Sequence, residues 1–171
     1  MKFMYYDFLL VLFGGFLSYL ATHLLEKQKY KKEREDTKLN YELQVKLGLQ
    51  SFGSSLEKLK SGYSYKNIFE FQKIDLLDSQ ISDLQTLKGG VGNLSKNRQE
   101  KLLALISDIT ALIRDIRGVE TFCFSEDTGT VKSVFQSKEQ HDDYFEKQRM
   151  QKLIDLVEIK RRIEDFLREL Q

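Results

Sequence analysis

The chain has 171 residues, with 27 lysines and arginines against 26 aspartates and glutamates and a formal charge of +1. Near-neutrality removes the electrostatic basis for nucleic-acid binding, so no nucleic-acid partner is expected. One cysteine, Cys123, excludes an internal disulfide and fits a reducing compartment, while the absence of proline predicts helices throughout.

The first element is residues 8–25, FLLVLFGGFLSYLATHLL, eighteen residues without a charge. At ~1.5 Å rise per residue a helix of this length spans ~27 Å, close to the ~30 Å hydrocarbon core of a bilayer. The run is apolar all round, whereas every later segment is striped, which argues against a buried core helix. Bulky Tyr19 and Leu20 stand where a signal-peptide cleavage site needs small residues. Residues 1–25 are therefore expected to form an uncleaved, single-pass transmembrane anchor, with Tyr5, Tyr6 and Tyr19 suited to the interfaces.

Orientation follows from the flanks. Lys27, Lys29, Lys31, Lys32 and Arg34 come directly after the apolar run, against Lys2 alone before it. The excess of basic residues places the amino terminus outside and the rest of the chain in the cytoplasm, at a plasma or inner membrane. The same five side chains can touch anionic lipid headgroups, but Glu26, Glu33, Glu35 and Asp36 dilute the patch, so setting topology is their main expected role. Gly14, Ser18 and Thr22 recur every four residues on one face, a spacing that lets membrane helices approach and self-associate.

Residues 26–38 are polar all round and continue the helix as a charged stalk. Residues 39–171 are expected to form a mainly α, antiparallel bundle of about four helices. Residues 39–49 alternate apolar and polar at every step, the strand period, yet leucine outweighs β-branched residues there and a helical series follows. On a helix, Tyr41, Val45, Leu49, Phe52, Leu56 and Leu59 fall on one face; Leu39, Leu43 and Leu47 form a second. A helix with two apolar faces is the reading adopted, ending at Ser61 and Gly62, with Gly48 and Gly53 marking a bend or close contact.

The second helix is placed from Asn67, with Glu70 at capping-box distance, to Gly89 and Gly90; its stripe is Phe71, Ile74, Leu77, Ile81 and Leu84, with Leu87 near the end. The third runs from Ser95 to about Arg117, stops at Gly118, and carries Leu102, Leu105, Ile106, Ile109, Leu112, Ile113 and Ile116. Periodicity then fails, and residues 119–136 read as a short β-hairpin around Asp127, Thr128 and Gly129 or as an irregular crossover. The fourth helix opens with Ser137 and Gln140 at capping-box spacing; its expected stripe is Met150, Leu153, Val157, Ile163, Leu167 and Leu170, widened by Leu156 and Phe166.

Candidate chemistry is sparse. KGGVGNLS at 88–95 has the glycines of a phosphate-binding loop, but Asn93 stands where the lysine is needed and Leu94 where the magnesium-binding hydroxyl belongs. Glu139, His141, Asp142 and Asp143 are metal-ligand types, yet adjacent helical positions diverge by ~100° and cannot converge on one ion. His23 reads as interfacial and Cys123 as a small semi-buried hydrophobe. No cofactor, metal or enzymatic activity is expected. The expected function is a membrane-anchored interaction or scaffold protein at the cytoplasmic face, contacting lipid and an unidentified protein partner. The alternative is a membrane effector that oligomerises through its transmembrane helix and perturbs the bilayer. A homo-oligomer seamed through Gly14, Ser18, Thr22 and the second face Leu39, Leu43, Leu47 fits either; packing of that second face under the crossover competes with it.

Overall fold

A computed structural model describes the backbone of residues 2–66, 71–124 and 138–171, and the side chains of 13–63, 72–119, 139–140 and 142–171. The described residues form four α-helices, α1 (Lys2–Lys66), α2 (Phe71–Thr86), α3 (Lys96–Phe124) and α4 (Lys138–Glu169), with a 3-10 segment (Leu87–Asn93) between α2 and α3 and no strand. They divide into two compact units, Met1–Asn40 and Tyr41–Gln171.

The ambiguous stretch 39–49 is helical, within α1. In the second unit, Tyr41, Val45, Leu49, Phe52, Leu56 and Leu59 are all buried, as the helical series predicts. They meet Ile74, Leu77, Ile81 and Leu84 of α2, the whole expected stripe of α3, and Leu156, Ile159, Ile163 and Phe166 of α4 in one core. Each such side chain contributes ~1.5–3 kcal/mol relative to exposure.

Register can be read from contacts between helices. Lys101–Glu169 (2.5 Å), Arg162–Asp108 (2.8 Å) and Lys152–Asp115 (3.1 Å) step down α3 as they step up α4, so the two are antiparallel. Gln80 Nε2 donates to Ser51 Oγ at 3.1 Å, and a Cβ on Gly48 would stand 3.3 Å from Leu84 Cδ2, so α1 and α2 are antiparallel as well. Lys160–Glu57 (2.7 Å) with Ile163 beside Gly53 shows the same for α4 and α1. Gly48 therefore marks a close helix-to-helix approach.

Four expectations change. α1 does not stop at Ser61 and Gly62: Ser61 Oγ donates to the Glu57 carbonyl at 2.8 Å inside the helix, and Tyr63 is 2% exposed. A buried Tyr63 extends the four-three series from Leu59, which offsets the ~1 kcal/mol cost of an interior glycine. α3 likewise runs through Gly118 to Phe124, so 119–124 is helix; 125–136, the remainder of the expected hairpin or crossover, lies outside the described residues, as do the expected caps at Asn67, Glu70 and Ser137. α2 passes into the 3-10 segment at Leu87, before Gly89 and Gly90. Finally, Met150 and Val157 are each 46% exposed: the core face of α4 is Phe145, Leu156, Ile159, Ile163 and Phe166, with Leu153, Leu167 and Leu170 partly buried against it.

Among the described residues, no helix is long and apolar enough to cross a membrane. The first five residues of the charge-free run 8–25, Phe8 to Leu12, lie outside the described side chains.

The 3-10 segment is pinned by Tyr41, whose hydroxyl donates to the Leu87 carbonyl at 2.5 Å; burial raises the phenol's pKa. A Cβ on Gly90 would run into the Tyr41 ring, whereas one on Gly89 meets open space. Gly90→Ala should therefore destabilise the protein by ~1–3 kcal/mol, as overpacking does. Gly89→Ala should leave the unfolding midpoint of the full chain, measured in mild detergent, nearly unchanged.

Candidate functional site

In the first unit Phe13, Phe16, Leu17, Tyr19, Leu24 and Leu25 are all exposed, Tyr19 stacking on His23 with ring centroids 6.2 Å apart. Gly14, Ser18 and Thr22 share a helical face; nothing lies within 4 Å of a Cβ built on Gly14, and Thr22 Oγ1 donates to the Ser18 carbonyl at 2.9 Å. The small-residue face is thus open, with one hydroxyl satisfied within the helix.

The basic run is also exposed. Lys29 lies 3.9 Å from Glu33 and Lys31 4.0 Å from Glu35, pairs four residues apart that partly neutralise it; Lys27, Lys32 and Arg34 are exposed as well. Such exposed pairs are worth ~0–1 kcal/mol.

Leu39 in the first unit, and Leu43 and Leu47 in the second, are exposed at 66%, 52% and 57%. Those of the second unit point away from Val45 and Leu49, about 160° around the helix, because successive residues turn by ~100°. A second exposed row, which periodicity alone did not single out, lies on α4: Met150, Ile154 and Val157, spaced four and three. The signal was present in the sequence but was merged with the core stripe.

Concave sites are shallow and mixed in chemistry. Between α3 and α4 a groove of about 260 Å³ has Leu105 and Phe166 in its floor and Lys101, Arg162, Asp165 and Glu169 on its rim. Both rim cations are paired, to Glu169 and Asp108. Between α1 and α2 a groove of about 280 Å³ is lined by Gln44, Gly48, Ser51, Gln80, Asp83, Leu84, Thr86 and Leu87, and the buried Gln80 Oε1 accepts no hydrogen bond there. Glu139, Asp142, Asp143 and Glu146 border an open depression of about 650 Å³ on α4. The His141 side chain lies outside the described set; among the described residues no group of three His, Cys, Asp or Glu side chains could hold a metal. KGGVGNLS at 88–95 is taken up by the 3-10 segment and its exit, with Asn93 Nδ2 donating to the Gly90 carbonyl at 3.0 Å.

Beside pairs within single helices, several ion pairs in the second unit join one helix to another. Arg98 of α3 reaches Glu42 of α1 at 3.1 Å and donates to the Glu169 carbonyl at the end of α4. Arg117 joins α3 to Asp75 (2.7 Å) and Asp78 of α2. The hydrogen bond from Lys160 lowers the pKa of Glu57, and the same bond raises that of Lys160. No family model matches the chain, no curated protein is significantly similar to it, and no solved structure matches it.

The Glu57 shift has a sign that can be tested. A carboxylate with a depressed folded-state pKa contributes stability that is present above its ordinary value of 4.5 and is lost as pH falls through the depressed value. Glu57→Gln should remove that part of the acid sensitivity. Denaturant midpoints of the wild type should therefore fall more steeply than those of the variant below that ordinary value, and the gap between them should narrow.

Proposed function

We propose that this protein is a membrane-anchored, non-enzymatic helical scaffold, with residues 8–25 in the bilayer and the bundle at the cytoplasmic face as a platform for another protein. The observation that carries the reading is the distribution of exposed apolar side chains. In the first unit, large apolar residues from Phe13 to Leu25 are exposed on all sides of α1. A contiguous apolar surface of this kind is covered by lipid or by another chain, not by water. Counted from Phe8 on the sequence, the uncharged run has the length a bilayer core requires. Lys27, Lys29, Lys31, Lys32 and Arg34 then set the orientation.

The platform half of the proposal draws on the second unit. Its core is complete among its own helices, yet Leu43, Leu47, Met150, Ile154 and Val157 remain exposed, while the grooves carry paired charges and amides rather than a nucleophile beside a base. Apolar rows on a well-packed bundle are suited to holding another helix.

Fractionation of the full chain tests the anchor. The wild type should stay in the membrane pellet through alkaline carbonate extraction. Leu17→Arg with Leu20→Arg should release it, since each arginine near the centre of a membrane helix costs ~2.5–3.5 kcal/mol. A wild-type chain that is extracted like a soluble protein would remove the anchor from the proposal. Orientation has its own measurement: a reporter fused after Gln171 that is active only outside the cytoplasm should stay silent.

A further inference from the structure

We propose that the outer face of α4 is a homodimer seam that takes a second copy of this chain in antiparallel orientation. The proposal concerns the unit Tyr41–Gln171 and goes beyond membrane anchoring. Met150, Ile154 and Val157 are 46%, 59% and 46% exposed and lie on the side of α4 facing away from Leu156, Ile159 and Ile163. The four-three spacing does not end with them. Asp143 and Lys147 continue the same row toward the amino end of α4, and Arg161, Glu164 and Arg168 continue it toward the carboxyl end. A row of this spacing is the seam of a two-helix coil, in which residues of the two rows meet in layers.

Charge selects both the occupant and its direction. In a parallel pair each residue faces its own copy, so Lys147, Glu164 and Arg168 would each meet a like charge. In an antiparallel pair with Ile154 of each copy opposite Val157 of the other, Lys147 falls opposite Glu164 and Asp143 opposite Arg168, each contact occurring twice by symmetry. Met150 falls opposite Arg161, whose aliphatic stem can cover it. All of these row charges are more than half exposed, so they are accessible to a partner. Their present partners, such as Asp143 for Lys147 at 2.7 Å, lie on the same helix and cost little to exchange. A single helix thus supplies a self-complementary face, as a two-fold interface requires.

Because α1 is antiparallel to α4, the two Tyr41 positions fall at opposite ends of such a pair.

The test uses the full chain in mild detergent, with Cys123→Ser as background. The wild type should sediment as a dimer, and Ile154→Asp should raise the dissociation constant at least ~10-fold, because the seam would then bury an unpaired carboxylate. Lys147→Glu and Glu164→Lys should each weaken the dimer, and the double variant should restore it, with unchanged helicity throughout. For direction, chains carrying Lys147→Cys mixed with chains carrying Glu164→Cys should cross-link, whereas Lys147→Cys alone should not. Cross-linking of Lys147→Cys with itself would mean a parallel pair and overturn the proposal. A dimer indifferent to Ile154→Asp would place the seam elsewhere, and a monomeric wild type with no cross-link would leave the face to a different protein or to lipid; either result overturns it. None of these readouts depends on carbonate extraction, so failure here leaves the membrane reading standing.

Discussion

Each helix of the unit Tyr41–Gln171 can offer the shared core only a limited arc, and the apolar residues that fall outside that arc govern how the rest of the surface behaves. α1 gives Tyr41 through Tyr63 to the core and keeps Leu43 and Leu47 outside it; α4 gives Leu156, Ile159, Ile163 and Phe166 and keeps Met150, Ile154 and Val157 outside. With the interior already close-packed, those outer rows cannot be absorbed by repacking within the unit. They are surplus to folding, and it is on them that the proposed association rests.

The ion pairs have a different role from the core. Pairs such as Lys101–Glu169, Arg162–Asp108 and Lys160–Glu57 sit at the rims of helix contacts and are partly exposed. Exposed pairs contribute ~0–1 kcal/mol each, so the core, not the rim, holds the unit together. What they add is selectivity: sliding α4 along α3 by one turn would separate Lys101–Glu169, Arg162–Asp108 and Lys152–Asp115 at once.

Much of this was legible in the residues. The third helix, with seven apolar positions at helical spacing, could hardly be read otherwise, and the alternation over 39–49 yields to the longer helical series that runs through it. Helix ends were less legible. A glycine announces a stop only when nothing beyond it is worth burying, and Tyr63 after Gly62 is. On α4 two four-three series interleave, and local pattern cannot say which one faces the neighbouring helices; that is settled by Ile163 meeting α1 at Gly53 and Arg162 meeting Asp108. The exposed row on α4 was missed for the same reason, while Leu39, Leu43 and Leu47 stood out because they lie opposite an unambiguous core face.

Arg98 gives the unit a mechanical character. By holding Glu42 near its beginning and the Glu169 carbonyl near its end, this one guanidinium gathers the entry and exit of the unit at a single corner. Tension applied between Tyr41 and Gln171 would therefore pull neighbouring antiparallel helices apart from one end, peeling contacts in sequence rather than shearing them together. Under such a load the Arg98 corner opens first, and the bundle behaves as a zipper with its slider at that residue.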